Sequence, residues 1–168
     1  MTDTVVDWVD IFTRPTYKHI ILESLQHCMQ QKGLTIYAWV LMSNHLHSIV
    51  SSEENMKIGD IWRDFKKFTS KKILATLEED NAESRREWML DRFLFRAKND
   101  QRIKQYKFWQ DGNDEQLIFS VDYLKQKLDY IHNNPVKAEL VNNPEEYRYS
   151  SAIDYAGGKG LIKIELIR

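Results

Sequence analysis

Cysteine is almost missing from this chain. Cys28 is the single one among 168 residues, which leaves no disulfide framework and no cysteine-based zinc site. Long apolar runs are missing too: none reaches the ~18 residues that a membrane span needs, and no charged-then-apolar leader opens the chain. A cytoplasmic protein with no membrane partner is therefore expected. Charge of one sign is also lacking. The formal net charge of −1 does not advertise a nucleic-acid binder, so any such role has to rest on local clusters of Lys and Arg. Glycine is sparse where it would matter for phosphate. Gly157-Gly158-Lys159-Gly160 has the wrong offsets and no strand before it, and reads as a turn rather than a phosphate loop. There are no internal repeats and no low-complexity segments. The length suits one domain over residues 1–168.

What is present is a regular alternation of elements. Thr4 to Phe12 reads as a short strand running into a turn. Pro15 to Lys32 reads as a helix, with Tyr17, Ile21, Leu25 and Met29 at i+4 spacing and Gly33 as its stop. Leu34 to Leu41 is β-branched and aromatic, Met42-Ser43-Asn44 is a polar break, and His45 to Val50 is a second apolar run; together they predict a hairpin. A helix follows with Ile58, Trp62, Phe65, Thr69, Ile73 and Leu77 on one stripe. After an acidic linker over 78–84, a third amphipathic segment runs from Ser84 to Phe95. Arg102 to Gln110 alternates basic, polar and aromatic residues and predicts a strand. Ser120 is a good N-cap for a helix whose stripe is Val121, Leu124, Leu128 and Ile131, and Pro135 is expected to stop it near Asn134. A short helix from Asn143-Pro144 to Tyr155 and a final strand, Leu161 to Leu166, complete the pattern.

Two pieces of this pattern carry chemistry. Successive side chains of a strand point to opposite faces, so His45 and His47 share one face while Leu46 points into the core. Two neutral imidazoles side by side form a two-point claw for a metal. On the last long helix, Tyr130 and Asn134 are one turn apart, on a side that does not carry the apolar stripe. His19 and His27 read as ordinary surface histidines of the first helix. Clusters suited to phosphate are Arg63, Lys66, Lys67 and Lys71 on the second helix, interleaved with Trp62, Phe65 and Phe68, and Arg102, Lys104 and Lys107 beside Tyr106, Phe108 and Trp109. Aromatic residues among cations also suit stacking on unpaired bases.

Asn44-His45-Leu46-His47, together with Tyr130-Ile131-His132-Asn133-Asn134-Pro135-Val136, resembles the single-tyrosine HUH transposases, particularly the REP-associated tyrosine transposases. Ala38-Trp39-Val40, Phe108-Trp109-Gln110, Tyr147 and Ser150-Ser151 extend the similarity over most of the chain. The resemblance implies an α+β sandwich in one domain, with a central antiparallel sheet flanked by helices. It also implies that His45, His47 and Asn134 bind a divalent metal ion, Mg²⁺ or Mn²⁺, and that Tyr130 attacks DNA. The expected partner is single-stranded or hairpin DNA, and a homodimer is open to the chain, since relatives occur as dimers and as monomers. Relatives carry more sequence in and before the first strand, so a shortened strand, or one completed by a partner, is expected here. The Ser84 to Asn99 segment is longer than in the smallest relatives.

The chemistry stands beside the resemblance. A phenol with its ordinary pKa near ~10 is a poor nucleophile at neutral pH without a base or a cation. Cleaving a phosphodiester requires charge to be neutralised on the non-bridging oxygens, which a metal supplies. Two other classes compete. A non-catalytic nucleic-acid-binding module has no need of His45, His47, Tyr130 and Asn134 together, and a metallohydrolase using water needs a carboxylate near the histidine pair, which no spacing provides.

Overall fold

The computed structural model describes residues 1–98, 105–112 and 115–167. Its centre is a three-stranded antiparallel sheet in the order β1-β3-β2. β2 spans Leu34–Leu41 and β3 spans His45–Ser52, so the Met42-Ser43-Asn44 break is the hairpin turn that its polarity predicts. β1 is only Thr2–Thr4, aligned with Thr2 against His47, Asp3 against Leu46 and Thr4 against His45. The expected strand over 4–12 is thus displaced toward the N-terminus. Beyond Val5 the chain turns through two short 3-10 segments, Val6–Trp8 and Ile11–Thr13. Asp7 and Trp8 have φ of 53° and 55°, which breaks the extended backbone that a longer strand requires.

Helices cover both faces. α1 (Pro15–Gln31) and α2 (Ile58–Glu79) pack on each other, and α1 also packs on β2. Their side of the sheet holds the larger core, in which Leu46, Trp39, Leu41 and Ile36 meet Tyr17, Ile21, Leu25, Trp62 and Phe65. On the opposite face Ala38, Val40 and Ile49 meet Ile131, Leu124 and Leu128 of α4 (Val121–Lys137). The period-2 pattern of β3 therefore sends Leu46 to one core and the two histidines to the α4 side. Gly33 ends α1 at φ +64°, a conformation that costs a residue with a Cβ. α3 (Arg86–Lys98) packs on α2 and buries Met89, Phe93 and Ala97.

Five sequence expectations are corrected. Among the described residues of the predicted 102–110 strand there is no ladder, only an isolated bridge from Trp109 to Val5. Phe108 and Trp109 are instead core residues, and Arg102 and Lys104 lie outside the described residues. The 161–166 segment is not a strand: the alternation of Leu161 to Leu166 gains one sheet-like bond, from the Glu165 N–H to the Ile36 carbonyl. β2's outer edge there is met by 149–151, whose Tyr149 carbonyl and Ser151 N–H bond Leu41 and Trp39. α4 runs through Pro135 to Lys137, because proline this close to the end disrupts only the final turn, and its first stripe residue, Val121, is 66% exposed. The Asn143 to Tyr155 helix divides into a 3-10 turn, Pro144–Glu146, and α5, Ala152–Tyr155, with Ser150 and Ser151 buried between them.

The linker over 78–84 is more than a polar connector. Glu83 is 4% exposed and receives Arg85 Nε at 3.1 Å and Arg14 Nε at 2.8 Å. It fixes the start of α3 to the entrance of α1. No helix is long and apolar enough to cross a membrane among the described residues.

Candidate active site

β3 presents His45 and His47 with ring centroids 4.7 Å apart, and α4 sets the Tyr130 ring 5.3 Å from His47. Ser120 caps α4 by accepting the Tyr123 N–H at 3.2 Å, as its position predicts. One turn beyond Tyr130, the Asn134 carboxamide donates to the Tyr130 carbonyl at 3.0 Å and stands close enough to the His45 ring to favour its charged form. All four residues line one cleft of about 920 Å³ between α4, β3 and the N-terminal segment. Tyr130 is 44% exposed within it, accessible to a macromolecular substrate.

The imidazoles are oriented by polar neighbours on Nδ1. Asn44 Oδ1 lies 2.7 Å from His45 Nδ1, and Asn44 Nδ2 donates to the Asp10 carboxylate at 2.8 Å and to the Trp8 carbonyl at 3.2 Å. Both of those partners can only accept, which fixes the amide with its oxygen toward His45. An amide oxygen only accepts in turn, so the Asn44 contact favours a proton on His45 Nδ1. Ser43 also donates to Asp10, at 2.8 Å, so the hairpin turn itself holds this relay. His47 Nδ1 is 2.9 Å from Thr2 Oγ1, a contact that follows from their opposed positions in β1 and β3. Such outer contacts set the tautomer and direction of metal-binding histidines. Burial lowers the His45 pKa below the ordinary histidine value, against the opposing hydrogen bond with Asn134, which favours the neutral form that a cation requires.

Two imidazole nitrogens and a carboxamide are a donor set suited to a divalent ion that accepts nitrogen as well as oxygen. Among the described residues no group of three or more His, Cys, Asp or Glu is placed to hold a metal. Glu115 and Gln116 also line the cleft. The sequence reading did not single them out, since they follow the Asp111-Gly112 turn with no periodicity to mark them. His132, two residues beyond Tyr130, faces elsewhere: its Nε2 is 2.9 Å from Ser151 Oγ, and burial lowers its pKa to about 4.

Positive charge stands at the tyrosine as well. Lys127 Nζ lies 5.9 Å and Lys137 Nζ 5.2 Å from the Tyr130 ring centroid. Lys127 is on the face that its spacing of three residues from Tyr130 predicts, and a spacing of seven residues is the signal that would have found Lys137. Arg63, Lys66, Lys67, Lys71 and Lys107 do not line this cleft; α2 lies on the other face of the sheet. Lys66 turns inward to Asp3 at 3.3 Å and to the Gly112 carbonyl at 2.9 Å. Arg63 pairs with Asp60 at 2.7 Å, and Lys107 pairs with Asp111 at 2.5 Å. Lys67 and Lys71 are exposed.

Comparison with known proteins agrees with this architecture. No curated protein matches the chain. A solved structure described as a REP-associated tyrosine transposase bound to a REP hairpin superposes with a TM-score of 0.65 at 18% identity, covering 99% of this chain and 82% of that one. The fold is therefore shared although the sequences have diverged. The family model for IS200-like transposases matches residues 9–106, which includes the histidine pair and ends before α4. Since that match spans more than half of the sequence, the chain belongs to the IS200-like transposase family.

Proposed function

We propose that this protein is a metal-dependent endonuclease and strand transferase for single-stranded DNA, with Tyr130 as its nucleophile. The observation that carries this reading is the juxtaposition of an exposed tyrosine, 5.3 Å from His47, with an asparagine one turn away that reaches His45. A binding module gains nothing from directing a phenol, two oriented imidazoles and a carboxamide into one cleft. The DNA hairpin named for the similar solved structure makes hairpin DNA the first substrate to test here.

His45, His47 and Asn134 would hold the divalent ion, Mg²⁺ or Mn²⁺, which when bound supplies Lewis-acid neutralisation of the phosphate oxygens. All three ligands are neutral, and Mg²⁺ prefers oxygen ligands and gives up water reluctantly, so binding is expected to be weak until a phosphate joins the site. The protein's own groups do the rest. Lys127 and Lys137 place two cations about the Tyr130 ring, where an incoming phosphate meets positive charge. Asn134 and Tyr130 sit one turn apart on the same helix facing the histidine pair, so nucleophile and ligands are held in one cleft. Tyr130 Oη bonds to phosphorus as the bond from phosphorus to the 3′ oxygen breaks. The tyrosine gives up its proton, and the 3′ oxygen leaves as a hydroxyl. The phosphodiester energy is retained in the tyrosine link, so a 3′-OH of another strand can reverse the step without ATP.

The test is incubation of labelled hairpin and single-stranded oligonucleotides with the protein and Mn²⁺, followed by denaturing electrophoresis. A label migrating with the protein is expected. Cut DNA with no protein-linked label assigns the reaction to water instead, and intact DNA with stable binding assigns the chain to the non-catalytic class.

A further inference from the structure

We infer that Trp8 is a stacking platform for an unpaired nucleobase beside the scissile phosphate, an assignment that rests on the single-strand reading above. Trp8 lines the same cleft as Tyr130 and the histidines and stands edge-on to His45 with ring centroids 6.0 Å apart. It therefore lies across the histidine pair from Tyr130. Its side chain is 60% exposed, so an aromatic face is uncovered next to the site.

That exposure is held in place. Asp7 and Trp8 both sit in the left-handed region, at φ 53° and 55°, which L-residues avoid unless surrounding contacts enforce it. The enforcing contacts are identifiable. The Trp8 N–H donates to the Val5 carbonyl at 3.1 Å, Asn44 Nδ2 donates to the Trp8 carbonyl at 3.2 Å, and the Asp7 carboxylate is paired with Arg96 and with Arg92. Asn44 thus ties the tryptophan backbone and the His45 ring to one amide. A large aromatic ring whose backbone is held in a costly conformation, beside an imidazole that would hold metal, suits a flat aromatic ligand more than solvent. In a single-stranded substrate that ligand is the base next to the phosphate, and stacking tolerates any base while favouring the larger face of a purine.

The experiment measures binding of a fluorescent single-stranded oligonucleotide in chelator, where no strand is cut. Trp8→Ala is expected to weaken binding by about 5- to 150-fold, the range of one lost base stack. Trp8→Phe should recover most of the affinity, and Trp88→Ala, on exposed α3 away from the cleft, should change nothing. An abasic nucleotide moved along the oligonucleotide should cost the wild type the same factor at one position and cost Trp8→Ala nothing further there. Wild-type binding that Trp8→Ala leaves intact, or losses that multiply at every position, would overturn the assignment alone. A wild type that binds no single strand would overturn both the assignment and the reading beneath it.

Discussion

Asn44→Ala probes the orientation of the site without touching a ligand or the nucleophile. The change deletes three hydrogen bonds, to the Trp8 carbonyl at 3.2 Å, to Asp10 at 2.8 Å and to His45 Nδ1 at 2.7 Å. Each such bond contributes about 0.5–1.5 kcal/mol net. The turn is solvated, so water replaces part of this, and a total loss of about 1–2 kcal/mol is expected. For a chain of this size about 1 kcal/mol moves the melting temperature by about 2–4 °C. The larger effect falls on His45, whose Nδ1 proton loses its acceptor, leaving the ring free to change tautomer and to turn. Loss of an outer partner of this kind costs about 10- to 100-fold in metal affinity. The assays are thermal unfolding, Mn²⁺ titration, and nitrogen NMR that reads which His45 nitrogen is protonated. Asn44→Asp separates the contributions. It keeps an acceptor on His45 Nδ1 but sets a carboxylate against Asp10, so it should preserve the tautomer while losing more stability than alanine does. A His45 ring that stays protonated on Nδ1 in Asn44→Ala, with unchanged Mn²⁺ affinity, would refute the reasoning.

Other outcomes follow from the same geometry. Arg85, then Arg14, hold the Glu83 carboxyl down at about 2, against an ordinary value of 4.5. Its stabilisation is therefore complete above about pH 4.5 and is lost as pH falls toward 2. Glu83→Gln should cost about 1–3 kcal/mol at neutral pH in urea denaturation, with the gap to wild type closing in that acid window; a gap independent of pH would contradict the ion-pair account. Lys127→Ala and Lys137→Ala should each weaken oligonucleotide binding and reduce its salt dependence by about one counterion. Lys71→Ala, across the sheet, should do neither.

The legible parts of this chain were those written in side-chain period. Alternation around His45-Leu46-His47 placed the histidines on one face and Leu46 in the core, where it is fully buried. The stripe from Trp62 to Leu77 matched the buried face of α2, and Ser120 capped α4. Alternation misled where tertiary contacts outweighed it. Phe108 and Trp109 enter the core against Phe12 and Phe93 without forming a ladder, and Ile162 is buried while its neighbours make no strand. Charge was least legible, because a lysine's long stem can carry its head inward. Nothing in the 63–71 pattern says that Lys66 bends to Asp3 while Lys67 and Lys71 stay outside. Left-handed Trp8 has no signal either: aspartate at position 7 tolerates that conformation better than most residues, but a bulky tryptophan does not call for it.

Tyr130 is expected to become covalently joined to DNA. The protein, mixed with Mn²⁺ and a single-stranded or hairpin oligonucleotide, can be digested and its peptides sequenced by mass spectrometry. A nucleotide phosphate is expected on the α4 peptide at Tyr130, with no adduct from Tyr130→Phe although that variant still binds the strand. An adduct on Tyr123, or an equal yield from Tyr130→Phe, would contradict that expectation.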